Sequence, residues 1–152
     1  MAERKIVSVK EDNELLHKIS KPVTQFDDKL ASLLDDMKDV LHKANGAGLA
    51  AVQIGILRRV FVVETPDDGY FECVNPELIK ESGLQNTSEG CLSVPGVFGI
   101  VDRPSKVVFK AQDRNGRWFK ISGKNLLAKA LCHENDHLNG IVFTDKVKRY
   151  VD

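Results

Sequence analysis

The stretch that most constrains this chain is Asn125 to Gly140, NLLAKALCHENDHLNG, because it carries His133, Glu134 and His137 in the pattern HExxH. On a helix, residues four apart lie one above the other, so both imidazoles can reach one ion. At about 100° per residue, Glu134 falls in the sector of Leu126, Leu127, Ala130, Leu131 and Leu138. Lys129, Asn135, Asp136 and Asn139 take the opposite side. An ionisable His-Glu-His stripe on, or at the edge of, a face that should be buried is costly unless something compensates it. A bound cation is the simplest compensation. The competing reading is a surface helix with two solvated histidines.

A catalytic zinc-type site takes three protein ligands and leaves a position open. The longer metalloprotease pattern would place a further His at Phe143, and the residues after His137 contain no His, Cys or Glu. A third soft ligand must therefore come from upstream. Cys91, on the glycine-flanked stretch Glu89 to Gly96, is the best candidate, since a thiolate binds such metals well. Cys73 sits in an apolar segment and reads as core filling. Cys132 points about 100° away from His133 on a helix and reads as structural. With Cys91, His133 and His137 as ligands, Glu134 is free to take and return a proton.

The rest of the chain frames that site. Its 152 residues suit one catalytic domain, 1–152, with a single sizeable core. Lys plus Arg and Asp plus Glu are 22 each, so charge does not argue for DNA or a membrane surface. No apolar run approaches the roughly 18 residues of a membrane span. The N-terminal MAERKIVSVKEDNE turns acidic before an apolar region could form, so a signal peptide is not expected. Three cysteines cannot all pair, and a reducing cytoplasm is the expected compartment.

In chain order, Ile6 to Val9 reads as a first strand or the approach to one, and Asp12 to Ser20 as a brief helical turn containing a solvated His17. Thr24 to Asp27 reads as a capping signal for an amphipathic helix through Leu30, Leu33, Leu34, Met37 and Ala44, stopped by Asn45-Gly46. His42 near its end is expected to meet the helix dipole or water. GAGLAAVQ, residues 46–53, is small and apolar until Gln53; it is either a close-approach segment beside a ligand or a tight connection. Arg59 to Glu64 and Gly69 to Val74 pair around Pro66 to Gly69, Glu77 to Ser82 is a separate strand, and Glu89 to Gly96 is an irregular loop. Val107 to Gln112 and Trp118 to Ser122 flank the hairpin signal Asn115-Gly116. The basic tail Lys146 to Tyr150 is expected to be a solvated end. The pattern is α+β, with antiparallel sheets around a central metal-binding helix.

Taken together, GAGLAAVQ at 46–53, EGCLS at 89–93 and HENDH at 133–137 resemble the peptide deformylase family, in that family's order and over most of the chain. The resemblance implies that Cys91, His133 and His137 bind a divalent metal, commonly Fe(II), with Zn, Ni or Co able to replace it. It implies Glu134 as general acid/base, the Gln53 amide and the Leu92 N–H as oxyanion donors, and Gly48 as a backbone contact to substrate. The implied substrate is the N-formyl-methionine end of a nascent chain, and the products are formate and a free amine. Leu131 and Ile100 are expected to line a methionine-sized pocket, and Arg103 to pair with a buried Glu89 or Asp136. The chain has Phe98 near where some members place an Arg, and Cys132 where Gln is frequent. It stops soon after Phe143 where many members continue into a helix used at the ribosome, so any ribosome contact through Lys146, Lys148 and Arg149 is expected to be weak. A small zinc endopeptidase and a non-catalytic metal-binding module are the alternatives.

Overall fold

The computed structural model describes residues 4–151; Met1 to Glu3, the start of the N-terminal stretch read above, and Asp152 lie outside them. Helix α1 spans Val9–Leu16 and α2 Asp28–Ala44, followed by β1 Gly48–Ala50 and a 3-10 turn, Ala51–Ile54. Strands β2 Val60–Thr65, β3 Gly69–Ser82, β4 Gln85–Cys91, β5 Val94–Arg103, β6 Lys106–Gln112 and β7 Trp118–Lys124 precede α3, Leu126–Leu138. A second 3-10 turn, Phe143–Asp145, and β8, Arg149–Val151, complete the chain.

The strands form two antiparallel sheets, ordered β1-β2-β3-β6-β7 and β4-β5-β8. Strand β2 shows why the helices sit where they do. Its Val60, Phe61, Val62 and Val63 are all buried, and side chains on a strand alternate between faces. Phe61 and Val63 join Leu127, Leu131 and Leu138 of α3, while Val60 and Val62 join Leu30, Leu34, Met37 and Leu41 of α2. The two helices therefore cover opposite faces of the larger sheet. Val94 and Val101 of β5 enter the same core as α3, which places that helix between the two sheets. Each fully buried aliphatic side chain contributes about 1.5–3 kcal/mol, so α3 is held by apolar packing before any polar contact is counted.

Several local expectations hold. Asp27 caps α2 by accepting from the Leu30 N–H at 3.0 Å, and Asn45 ends it in the left-handed region at φ 57°. Gly116, at φ 85°, closes the β6–β7 turn by donating its N–H to the Asp113 carbonyl.

Others are corrected. Residues 6–8 join neither sheet; the Val7 N–H donates to the Gln53 carbonyl (2.7 Å) and the Val9 N–H to that of Ser93 (2.9 Å). Ser8 and Glu11 then form a capping box, so α1 starts and ends earlier than its apolar spacing suggests. The two strands expected at 69–74 and 77–82 are one long strand, with a register shift between Val74 and Glu77. Glu89 to Gly96 is the tip of the β4–β5 hairpin, with Cys91 opposite Val94. Its Gly, Ser and Pro content masks a strand whose pairing is set by the neighbouring backbone. The basic tail is not a free end, because β8 pairs with β5 and Lys148 forms an ion pair with Asp102. His42 finds a carboxylate, its Nε2 lying 2.6 Å from Glu64.

His17 is likewise engaged. Its Nδ1–H donates to the Asn13 carbonyl at 2.8 Å, and Nε2 meets Asp145 at 2.9 Å, tying the end of α1 to the turn after α3. The Asn13 carbonyl and Asp145 hold its pKa above the ordinary 6.5, against a smaller lowering by burial. A raised native pKa stabilises the fold fully below the unfolded value and ceases to do so as pH rises through the native value. His17→Gln should therefore lower the urea midpoint more at pH 5.5 than at pH 8.5, relative to the parent at each pH. An equal loss at both would show that the protonated imidazole contributes nothing.

Candidate metal centre

The three sequence-predicted ligands arrive from two elements. His133 and His137 project from the same face of α3, and Cys91 ends β4 where the hairpin turns. One donor atom from each lies within 4.8 Å of the others, and the Cys91 Sγ to His137 Nε2 distance is 3.3 Å. Both imidazoles are buried and the thiol is half-buried. Among the described residues this is the one group of three His, Cys or acidic side chains spaced to share an ion. A thiolate with two imidazoles is a borderline-soft set that suits a first-row divalent ion.

His133 is oriented from behind. Its Nδ1–H donates to Glu89 Oε1 at 2.8 Å, which turns Nε2 towards the other donors. Glu89 is in turn gripped by Arg103, through Nε (2.7 Å) and Nη2 (2.9 Å) on its two oxygens. The third arm of the guanidinium, Nη1, donates to Asp136 at 2.6 Å, and Lys146 meets the same Asp136 oxygen. Arg103 thus pairs with both of the carboxylates considered from sequence. The bond from Glu89 to His133 was not foreseen, because nothing in EGCLS marks that glutamate as a partner of a residue so distant in the chain.

Electrostatics separate the two buried glutamates. Burial alone would raise Glu89, but the Arg103 and His133 bonds outweigh it and hold its pKa at about 2. Burial pushes Glu134 up to about 7, with the neighbouring His133 pulling the other way. For His133, burial is overcome by Glu134, Cys91 and Glu89, which raise its pKa to about 10, whereas burial and the nearby His133 push His137 well below 6.5. A ligating imidazole must be neutral, so cation binding here would release a proton. Burial raises the Cys132 thiol to about 12 and keeps Cys73 protonated too, so neither is a competing thiolate.

Part of this cluster lines a cavity of about 460 Å³, with His137 buried behind its wall. Gln53, Gly48, Leu92, Cys91, His133 and Glu134 all face it. The Gln53 amide is fixed at both ends: Oε1 accepts from the Ala50 N–H (2.9 Å) and Nε2 donates to Ser93 Oγ (3.1 Å), with Cys91 Sγ 3.5 Å away. Ser93, fully buried, had no signal in the sequence beyond its place in EGCLS. Gly48 is needed for space, since a Cβ there would lie 2.5 Å from Glu134 Oε2. Glu134 Oε1 is buried without a hydrogen-bond partner among the described residues. The expected pocket residues Leu131 and Ile100 do not line the cavity; Leu131 is wholly buried in the core. Leu126, Lys129 and Ala130 of α3 take that place, because the cavity opens beside the first turns of the helix. Leu126, assigned from periodicity to the buried sector, is 45% exposed at its mouth.

A model of the polypeptide deformylase family matches residues 3–151. The chain is 53% identical over 151 residues to the peptide deformylase of Caldicellulosiruptor bescii, covering 99% of this chain and 89% of that one. It is 51% identical over 145 residues to that of Acetivibrio thermocellus, covering 95% and 85%. The crystal structure of a peptide deformylase from Legionella pneumophila superposes with a TM-score of 0.91 at 44% identity, covering 97% of this chain and 87% of that one.

Removing one partner of a buried, paired charge costs about 3–5 kcal/mol, and loss of a group behind a ligand weakens metal binding by about 10–100-fold. Arg103→Ala should therefore unfold at clearly lower urea and hold less Ni(II) per chain after dialysis. Unchanged stability and metal content would refute the linkage through Glu89.

Proposed function

Because the chain belongs to the peptide deformylase family, metal-dependent hydrolases that take the formyl group from the N-terminus of newly made proteins, we propose that Cys91, His133 and His137 hold its cation and that Glu134 carries the proton. The observation that bears most weight is the buried cluster of one thiol and two imidazoles with Glu134 against it, Oε2 lying 4.0 Å from His133 Nε2. The bound cation supplies Lewis acidity, polarising a carbonyl and acidifying water near neutral pH.

Glu134 suits the proton role because burial sets its pKa at about 7, where one group can both accept and return a proton. It would take a proton from the attacking water and deliver it to the departing amine. The Gln53 Nε2 amide and the Leu92 N–H are the donors we assign to the developing oxyanion. The Ala50 and Ser93 bonds fix the Gln53 amide before the reaction, and its second Nε2–H, directed at Cys91 Sγ (3.5 Å), would serve the oxyanion. Gly48, on the edge strand β1, offers backbone to the substrate chain. Residues 1–152 act as one catalytic unit in this reading.

Fe(II) is the cation we expect in the cell, with Zn, Ni or Co able to take its place in a Cys-His-His set. Among the described residues no helix is long and apolar enough to cross a membrane. We place the reaction on nascent N-formyl-methionyl chains, in the cytoplasm. Lys146 and Lys148 already pair with Asp136 and Asp102, which leaves a weak ribosome contact at most.

The deciding experiment is an anaerobic assay of Fe(II)- or Ni(II)-loaded protein on formyl-Met-Ala-Ser, following formate and free amine. Glu134→Ala should retain the metal while turnover falls on the order of 10²–10⁴-fold; equal turnover would remove Glu134 from the proton's path. Gly48→Ala is expected to displace the Glu134 carboxylate, lowering kcat by at least about tenfold with metal content intact. Normal turnover in that variant would mean the close approach at Gly48 is not required.

A further inference from the structure

We propose that Val9 is a positioning residue for the reaction: its backbone N–H, bonded to the Ser93 carbonyl, keeps the Gln53 amide aimed at the oxyanion. The inference rests on the assignment of Gln53 above and extends it to the N-terminal segment.

The chain of contacts is short. Gln53 Oε1 accepts from the Ala50 N–H, so Nε2 is the end presented to Ser93 Oγ at 3.1 Å. The amide carries two N–H donors on one planar nitrogen, which diverge at a fixed angle. Where Ser93 Oγ fixes the first, it also aims the second, which lies towards Cys91 Sγ. A shift of Ser93 therefore turns the donor.

Ser93 sits in a turn that its hairpin does not favour. Leu92 and Ser93 form the two-residue connection between the paired Cys91 and Val94. Both have negative φ, whereas the turns whose twist suits such a hairpin need a positive φ there. Outside support comes from the Val9 N–H, 2.9 Å from the Ser93 carbonyl.

Val7 makes the companion bond, its N–H donating to the Gln53 carbonyl at 2.7 Å. Ser8 between them is extended, at φ −98° and ψ 159°. The two N–H groups therefore face the same way, roughly 7 Å apart. The segment acts as a ruler between the turn that carries Gln53 and the hairpin that carries Cys91. Arg4 Nε anchors one end on the buried Asp36 (2.9 Å), and the capping box of α1 anchors the other. Val9 is also the first residue of α1, where an N–H has no partner within the helix and ordinarily meets water. Here it reaches a fully buried residue instead.

That position makes the N–H separable from the fold. Proline is well tolerated at the first helical residue, and the extended Ser8 suits a following proline. Val9→Pro thus deletes the N–H with little else. In the metal-loaded enzyme on formyl-Met-Ala-Ser, kcat should fall roughly tenfold, with KM within about a factor of two. Val9→Ala keeps the N–H and should restore kcat. Added to Gln53→Ala, Val9→Pro should cost about threefold or less, because the group it aims is gone. In the Zn(II)-loaded protein, the Gln53 side-chain amide protons should exchange with solvent faster in Val9→Pro than in the parent, a readout independent of turnover. Ser93→Ala breaks the next link and should lower kcat as Val9→Pro does; it carries the test if the proline variant does not fold.

Normal kcat in Val9→Pro or Ser93→Ala, a full loss in the Gln53→Ala background, or unchanged amide exchange would overturn the proposal. So would an equal loss in Val9→Ala, which would leave the residue a packing role alone. A parent that releases no formate, or a Gln53→Ala variant as fast as the parent, would instead overturn the site assignment on which the proposal rests.

Discussion

The arrangement depends on one buried guanidinium. Arg103, 2% exposed at the end of β5, holds Glu89 of β4 with two arms and Asp136 of α3 with the third. It therefore ties the smaller sheet to the helix that carries both histidines. Burying a charge on that scale is tolerable only when every arm is paired. Glu89 then does for His133 what Arg103 does for Glu89, setting which ring nitrogen faces the other donors. The orientation of the His133 ring is thus inherited from an ion-pair network one residue removed from it.

The same neighbourhood runs two glutamates at different protonation levels. Glu89 and Glu134 are both buried, yet one lies at about 2 and the other at about 7. Arg103 faces the first with two hydrogen bonds, while the second has desolvation as its main influence. Pairs of acids whose surroundings drive them apart are a recurring basis for dividing labour in a catalytic site. Here the permanently charged one orients the His133 ring, and the one poised near neutrality has the protonation range that the proposed proton transfer would use. The N-terminal segment contributes quietly, since Val7 and Val9 clasp the Gln53 and Ser93 carbonyls and so join the two loops that flank the cavity.

Space around these groups is made by omission. Gly48 lets the Glu134 carboxylate lie against β1, and Gly90 lets the Phe98 ring lie on the hairpin beside Cys91. In both places a methyl would collide with a side chain that faces the cavity. The short, small-residue stretches of the chain are accordingly as specific as its charged ones.

The candidate ligand cluster was legible in the linear chain because it obeys helix periodicity and elimination: His133 and His137 are four apart, nothing suitable follows, and Cys91 stands in a distinctive glycine-flanked stretch. The α+β class and the Asn115-Gly116 hairpin were legible for the same reason, since turn chemistry and apolar spacing act over a few residues. Contacts between distant segments were not. The strand character of residues 89–91, the seating of the C-terminal tail on β5, the His17–Asp145 pair and the true lining of the cavity all depend on partners brought together by folding. Sequence alone determined which groups could bind a cation and move a proton, because those capacities belong to the residues themselves. Only the tertiary structure decided which nitrogen, which carboxylate and which wall are used, because orientation and desolvation arise from neighbours that the chain order does not reveal.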